Sequence, residues 1–122
     1  MNENDIKDLL TRMRSAYEIF LQEFDSHLKF LSTLAHDLRN ADNPMSILSE
    51  KRVSAQNRFH VIKGGAGFLK LTDIAACASE AEETLKKTAL DADSLDSLSD
   101  CLQRTVSTLE QEVEELRKLL QN

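Results

Sequence analysis

Apolar residues recur at intervals of three and four along nearly the whole chain, and no stretch alternates apolar with polar residues as a half-buried strand would. The first series runs Ile6, Leu9, Leu10, Met13, Ala16, Tyr17, Phe20, Phe24, Leu28, Leu31, Leu34, Ala35 and Leu38. It predicts one very long helix, or two with a joint near Asp25 and Ser26. The only proline, Pro44, stands in "NADNPMS", whose Asn and Asp content marks a turn. A second helix is predicted from about Ser46 to Leu69. "LTDIAACASEAEETLKK" predicts a third, with Ile74, Ala78, Ala81 and Leu85 on one face and Thr72 or Asp73 as N-cap. After the acidic turn "TALDADSLDS", Leu95, Leu98, Leu102, Val106, Leu109, Val113, Leu116 and Leu120 form a near-heptad series on one long amphipathic helix.

Short turns between successive helices imply antiparallel neighbours. The predicted fold is therefore all-α, an antiparallel up-down-up-down four-helix bundle with an extended N-terminal helical segment. A chain of 122 residues, 41% of them hydrophobic, suits one domain over residues 1–122, with 1–15 as the helical extension. Long first and last helices could project beyond the core, so a monomer or a weak dimer is expected.

Charge narrows the partners. A formal net charge of -6 argues against nucleic acid or an anionic membrane surface as the main partner. No apolar run approaches the length of a membrane span, and "MNENDIKDLL" is acidic and polar where a secretory signal would be basic and then apolar. A cytoplasmic protein without membrane insertion is expected. Cys77 and Cys101 show no CxxC or Cys/His spacing and read as reduced, inert thiols, so no metal is expected.

One stretch stands apart. "RFHVIKGGAGFLKL" holds all three glycines, Gly64, Gly65 and Gly67. Ala55, Phe59, Ile62, Ala66 and Leu69 carry the apolar period straight through them, although each glycine costs a helix interior about 1 kcal/mol against alanine. The opposite face presents Gln56, Asn57, His60, Lys63, Gly64 and Gly67. His60, Lys63, Gly64 and Gly67 follow i, i+3, i+4, i+7 and form one stripe. An imidazole is thus displayed beside a strip free of side chains, where another macromolecule can approach closely.

That constellation suits a phosphoryl carrier. An accessible neutral imidazole is a competent nucleophile toward phosphorus, and Lys63, one turn on, supplies a cation for phosphate oxygens. The second ring nitrogen needs an acceptor to fix tautomer and orientation, and Glu82 on the third helix is the candidate, with Glu80 and Glu83 close by.

"HVIKGGAGFLKL" resembles the H-x-x-K-G-x-x-G signature of histidine phosphotransfer (HPt) domains, and most of all the phosphoacceptor domain of chemotaxis-type histidine kinases, with the helix order similar from about Ala16 onward. The resemblance implies His60 as phosphoacceptor, Lys63 as the phosphate-side cation, Glu82 as the orienting acid, and Gly64 with Gly67 as approach surface. It also implies a response-regulator receiver domain or a histidine kinase as partner, with no cofactor held by this chain, since the partner brings ATP and Mg²⁺. The sequence departs from the family at Lys70, where a glycine or small residue is frequent, and at Ser79, where chemotaxis-type members often carry a second histidine.

Two other readings compete. "LAHDLRNADNPM" resembles the phosphoacceptor box of two-component kinases, which would make the chain a kinase-type dimerisation domain using His36. Ala41, Asp42 and Asn43 intervene before Pro44, however, and no nucleotide-binding domain follows in this sequence. The leucine series of the last helix would equally serve a non-catalytic helical-bundle or coiled-coil adaptor, with "EQEVEELRK" as its solvated face. His27, in "DSHLKF", reads as a surface residue. No P-loop, GxSxG, HExxH or Rossmann glycine pattern is present, so an independent enzyme is not expected.

Overall fold

The computed structural model describes residues 3–121; Met1, Asn2 and Asn122, and the side chains of Ile6, Leu9 and Leu10, lie outside the described residues. The fold is all-helical, with no strand among the described residues. Its elements are α1 (Glu3–Asn40), α2 (Pro44–Phe68), α3 (Thr72–Lys87) and α4 (Ala92–Gln121).

The joint in α1 falls at Met13, where φ is -128° and ψ 31°, and not near Asp25 and Ser26. The reason is phase. Phe24 and Leu28 are both buried and four residues apart, so the core stripe passes Asp25 and Ser26 on their exposed side without interruption. Asp25 is used outward, in an ion pair with Arg117 at 2.7 Å.

Pro44 opens α2 two residues earlier than predicted. Asn43 is the N-cap, its side chain accepting the Ser46 N–H at 3.2 Å, and proline at the first helical position gives up only a donor that would be orphaned anyway. At the other end, Leu71 N–H reaches back to the Ala66 carbonyl at 2.8 Å, while Lys70 takes φ 63°. This is the closing turn in which one left-handed residue follows the C-cap. The turn is so short that Leu71, buried, also serves as N-cap of α3 with no side-chain cap bond. Neither Thr72 nor Asp73 is the cap; they lie inside the first turn, where Asp73 complements the helix dipole. At α4 the Asp91 carboxylate accepts the Ser94 N–H at 2.8 Å, and this backbone bond holds its pKa below the ordinary value.

Named contacts give the packing. The Arg14 guanidinium donates to the Leu120 carbonyl at 2.6 Å, Ser99 Oγ donates to the Ala35 carbonyl at 2.8 Å, and Arg39 pairs with Asp100, so α1 and α4 run in opposite directions. Tyr17, fully buried, donates its hydroxyl to the Leu69 carbonyl at 2.8 Å, and Arg58 meets His27, so α1 and α2 also oppose each other. All four helices bury apolar stripes in one core, in which Phe24, Phe59, Leu31 and Leu102 are among the most enclosed side chains. Cys77 and Cys101 are free and half-buried. Among the described residues no helix is long and apolar enough to cross a membrane.

Candidate functional site

Phe59 and Ile62 point into the core, which turns His60 out on the other side of α2 with its side chain 65% exposed. Lys63, one turn on, is half-buried because it leans toward α3. There the small residues Ala78 and Ala81 lie buried between the helices, and Glu82, next in the chain, is held in the seam with its side chain only 8% exposed. Its Oε1 accepts the Lys63 ammonium at 3.1 Å. Its Oε2 stands 3.5 Å from His60 Nδ1 and 3.7 Å from Lys86 Nζ. One buried carboxylate thus gathers an imidazole and two ammonium groups.

Burial by itself would raise the Glu82 carboxyl, yet its pKa lies below the ordinary value: the Lys63 hydrogen bond and charge, then Lys86 and His60, outweigh the desolvation. Glu82 is therefore an anion at neutral pH. Glu80 and Glu83 are exposed and do not reach His60. The carboxylate faces Nδ1, which favours the tautomer protonated there and leaves Nε2 as the outward nitrogen with its lone pair free.

The glycines divide into two kinds. A Cβ at Gly64 or Gly67 would meet nothing within 4 Å, and both are exposed. A Cβ at Gly65 would stand 3.0 Å and 3.3 Å from two ring carbons of Phe20. Gly65 thus lets α1 close on α2, whereas Gly64 and Gly67 form the open strip next to His60. Asn57 is exposed on the same face, and Gln56 is half-buried.

Several residues around the strip escaped the reading of the sequence. Lys86 is one; its place on Glu82 follows from the i, i+4 spacing on α3 once Glu82 is known to face α2. Val53, Val61 and Phe68 are the others, apolar yet exposed on α2, Phe68 at 69%. Their signal was available, since they interrupt a face otherwise made of polar and small residues.

The remaining histidines are differently placed. His36, near the end of α1, is exposed and its Nδ1 lies 3.2 Å from the Asn40 amide, with no cation or carboxylate on it among the described residues. His27 is not a plain surface residue. It is half-buried and its Nδ1 lies 3.1 Å from the Arg58 guanidinium, which stacks on Phe30 with 4.7 Å between the guanidinium carbon and the ring centre. Burial, then the Arg58 charge, lowers its pKa despite an opposing pull from Glu23. Among the described residues no group of three or more His, Cys, Asp or Glu side chains could hold a metal ion.

The family model of the Hpt domain matches residues 5–119, which reaches into all four helices. No curated protein and no solved structure gives a significant match. Hpt domains are phosphocarrier modules of two-component phosphorelays and not catalysts in their own right. By a match of that extent, the chain belongs to the Hpt domain family.

Proposed function

We propose that His60 accepts a phosphoryl group on Nε2 and exchanges it with an aspartate of a response-regulator receiver domain. In the accepting direction the Nε2 lone pair forms the N–P bond as the P–O bond to the aspartyl carboxylate breaks, and the carboxylate leaves as an anion. The proton on Nδ1 remains where it is, facing Glu82, so the positive charge that develops on the ring is met by a fixed anion. Lys63 is the phosphate-side cation, Lys86 shares the Glu82 carboxylate with it, and Glu82 orients the ring. Gln56, Asn57, Gly64 and Gly67 receive the partner, with Val61 and Phe68 adding apolar area.

The observation that carries this reading is the pairing of an exposed imidazole with the buried, ionised Glu82 beside an open glycine strip. A bundle serving only as an adaptor has no use for that arrangement. The further parts of the reading are an up-down-up-down four-helix scaffold with residues 1–15 as its extension, a cytoplasmic setting, a monomer or weak dimer, and a likeness to the chemotaxis-type phosphoacceptor domains. Incubation with a phosphorylated receiver domain, or with a small phosphodonor, followed by intact mass tests the proposal. One acid-labile phosphate is expected, and none on His60→Gln. Equal labelling of the variant, or no labelling of the parent, overturns it.

A further inference from the structure

Lys70 is the one non-glycine residue with positive φ among the described residues, at 63°. It follows the C-cap Leu69, in the position where glycine is free of the strain that any side chain brings. Lys70 is exposed, and its ammonium makes no ion pair or hydrogen bond among the described residues. It borders a small groove that also takes in Glu112 and Glu115 of α4.

A second observation gives the cation a use. Between Glu50 and Asp73 the chain carries Lys51, Arg52, Arg58, Lys63 and Lys70 and no carboxylate, in a protein of net charge -6. An acidic partner repelled by the acidic surface elsewhere is attracted to this segment, α2 and the turn that follows it. Eight residues at 1.5 Å each put Phe68, the last residue of α2, about 12 Å along the helix from His60, and Lys70 stands two residues beyond it in the closing turn. An interface of about 800 Å² per partner, taken as a disc, reaches about 16 Å from its centre. Lys70 therefore falls at the rim of a face centred on His60, next to the exposed Phe68. Charges at a rim act on encounter and partner choice more than on the bound state.

We propose that Lys70 is a specificity-determining cation at the edge of this docking face, where it meets an acidic patch of the receiver domain. The inference rests on the function proposed for His60. Rates of transfer from receiver domains phosphorylated with acetyl phosphate, measured across a salt series, test it together with thermal melts. Lys70→Gly should melt higher than the parent, yet lose several-fold in kcat/KM at low salt, with the saturated rate retained and a shallower salt dependence. Lys70→Glu should lose more, and Lys70→Arg should restore the parent value. A Lys70→Gly variant that melts higher and transfers with the parent's kcat/KM and salt dependence overturns the proposal. So does one that melts lower, because attraction from Glu112 and Glu115 would then account for the lysine. Intact mass on the parent separates the two layers: without phosphate on His60 both readings fall, whereas a labelled His60 with transfer indifferent to residue 70 removes only this one.

Discussion

His60 Nδ1 stands 3.5 Å from Oε2 of Glu82, an exposed base over a buried acid. The distance is at the long end for a hydrogen bond, so the interaction in this state is mainly between charge and ring dipole. It shortens at little cost when the ring gains positive charge. The other carboxylate oxygen is already held by Lys63 at 3.1 Å, which keeps Glu82 from following the ring outward.

Glu82→Gln should therefore lower both transfer and stability. The pair is buried on one side and open on the other, so a loss of about 1 to 2 kcal/mol is expected, below the 3–5 kcal/mol found when fully buried pairs are broken. The pH dependence has a definite sign. The folded carboxyl titrates below its unfolded value, so its contribution is complete above the unfolded pKa of about 4.3 and is lost as pH falls through the lowered folded value. Urea titrations at pH 7 and in the acid range should show the parent and Glu82→Gln converging at low pH. Parallel curves would place the acid sensitivity elsewhere.

Lys63 is not the free surface cation that its position opposite the apolar face suggests. Its bond to Glu82 means that Lys63→Ala should cost about 1 kcal/mol, beyond the ±0.5 kcal/mol of an ordinary surface change. Lys86→Met should cost less, being farther from the carboxylate at 3.7 Å. Both should shorten the lifetime of the phosphorylated form, measured by loss of labelled phosphate.

The glycines should respond in opposite ways. Gly64→Ala and Gly67→Ala should raise stability by about 0.4 to 1 kcal/mol, because nothing stands in the way of the added methyl. Gly65→Ala should lower it by about 1 kcal/mol, since the Phe20 ring must move. Phe20→Leu in the same molecule should relieve part of that loss, and thermal melts of the double-mutant cycle measure the coupling. Equal effects at all three positions would contradict the division.

His27 should make stability fall as the solution is acidified. Its folded pKa is lowered, so the unfolded chain binds the proton first; the stabilisation is complete above about pH 6.5 and is lost as pH falls through the folded value. The groups facing it are Arg58 from α2 and Glu23 from its own helix. His27→Gln keeps an acceptor for Arg58 and should flatten the stability curve between pH 7 and 5.

Much of this was legible in the sequence because one physical rule governs it. The three-and-four period placed four helices, and the same period put His60, Lys63, Gly64 and Gly67 on one stripe. What local pattern does not carry is the relation between helices. Glu82 is distinguished from Glu80 and Glu83 by facing α2, and Gly65 from Gly64 by facing Phe20 of α1. The joint at Met13 and the cap at Leu71 were missed for a related reason. Polar residues at Asp25, Ser26, Thr72 and Asp73 resemble break and cap signals, but core phase and a very short turn overrode them.

Phosphate on one atom, Nε2 of His60, is the central expectation. NMR of the phosphorylated protein with ¹⁵N-labelled histidine, correlating ring nitrogens with ring protons and with ³¹P, reads that directly. The prediction is a single N–P bond at Nε2 of His60, with Nδ1 protonated and facing Glu82. Phosphate at Nδ1 of His60, on His36 or His27, or on no histidine at all would contradict it.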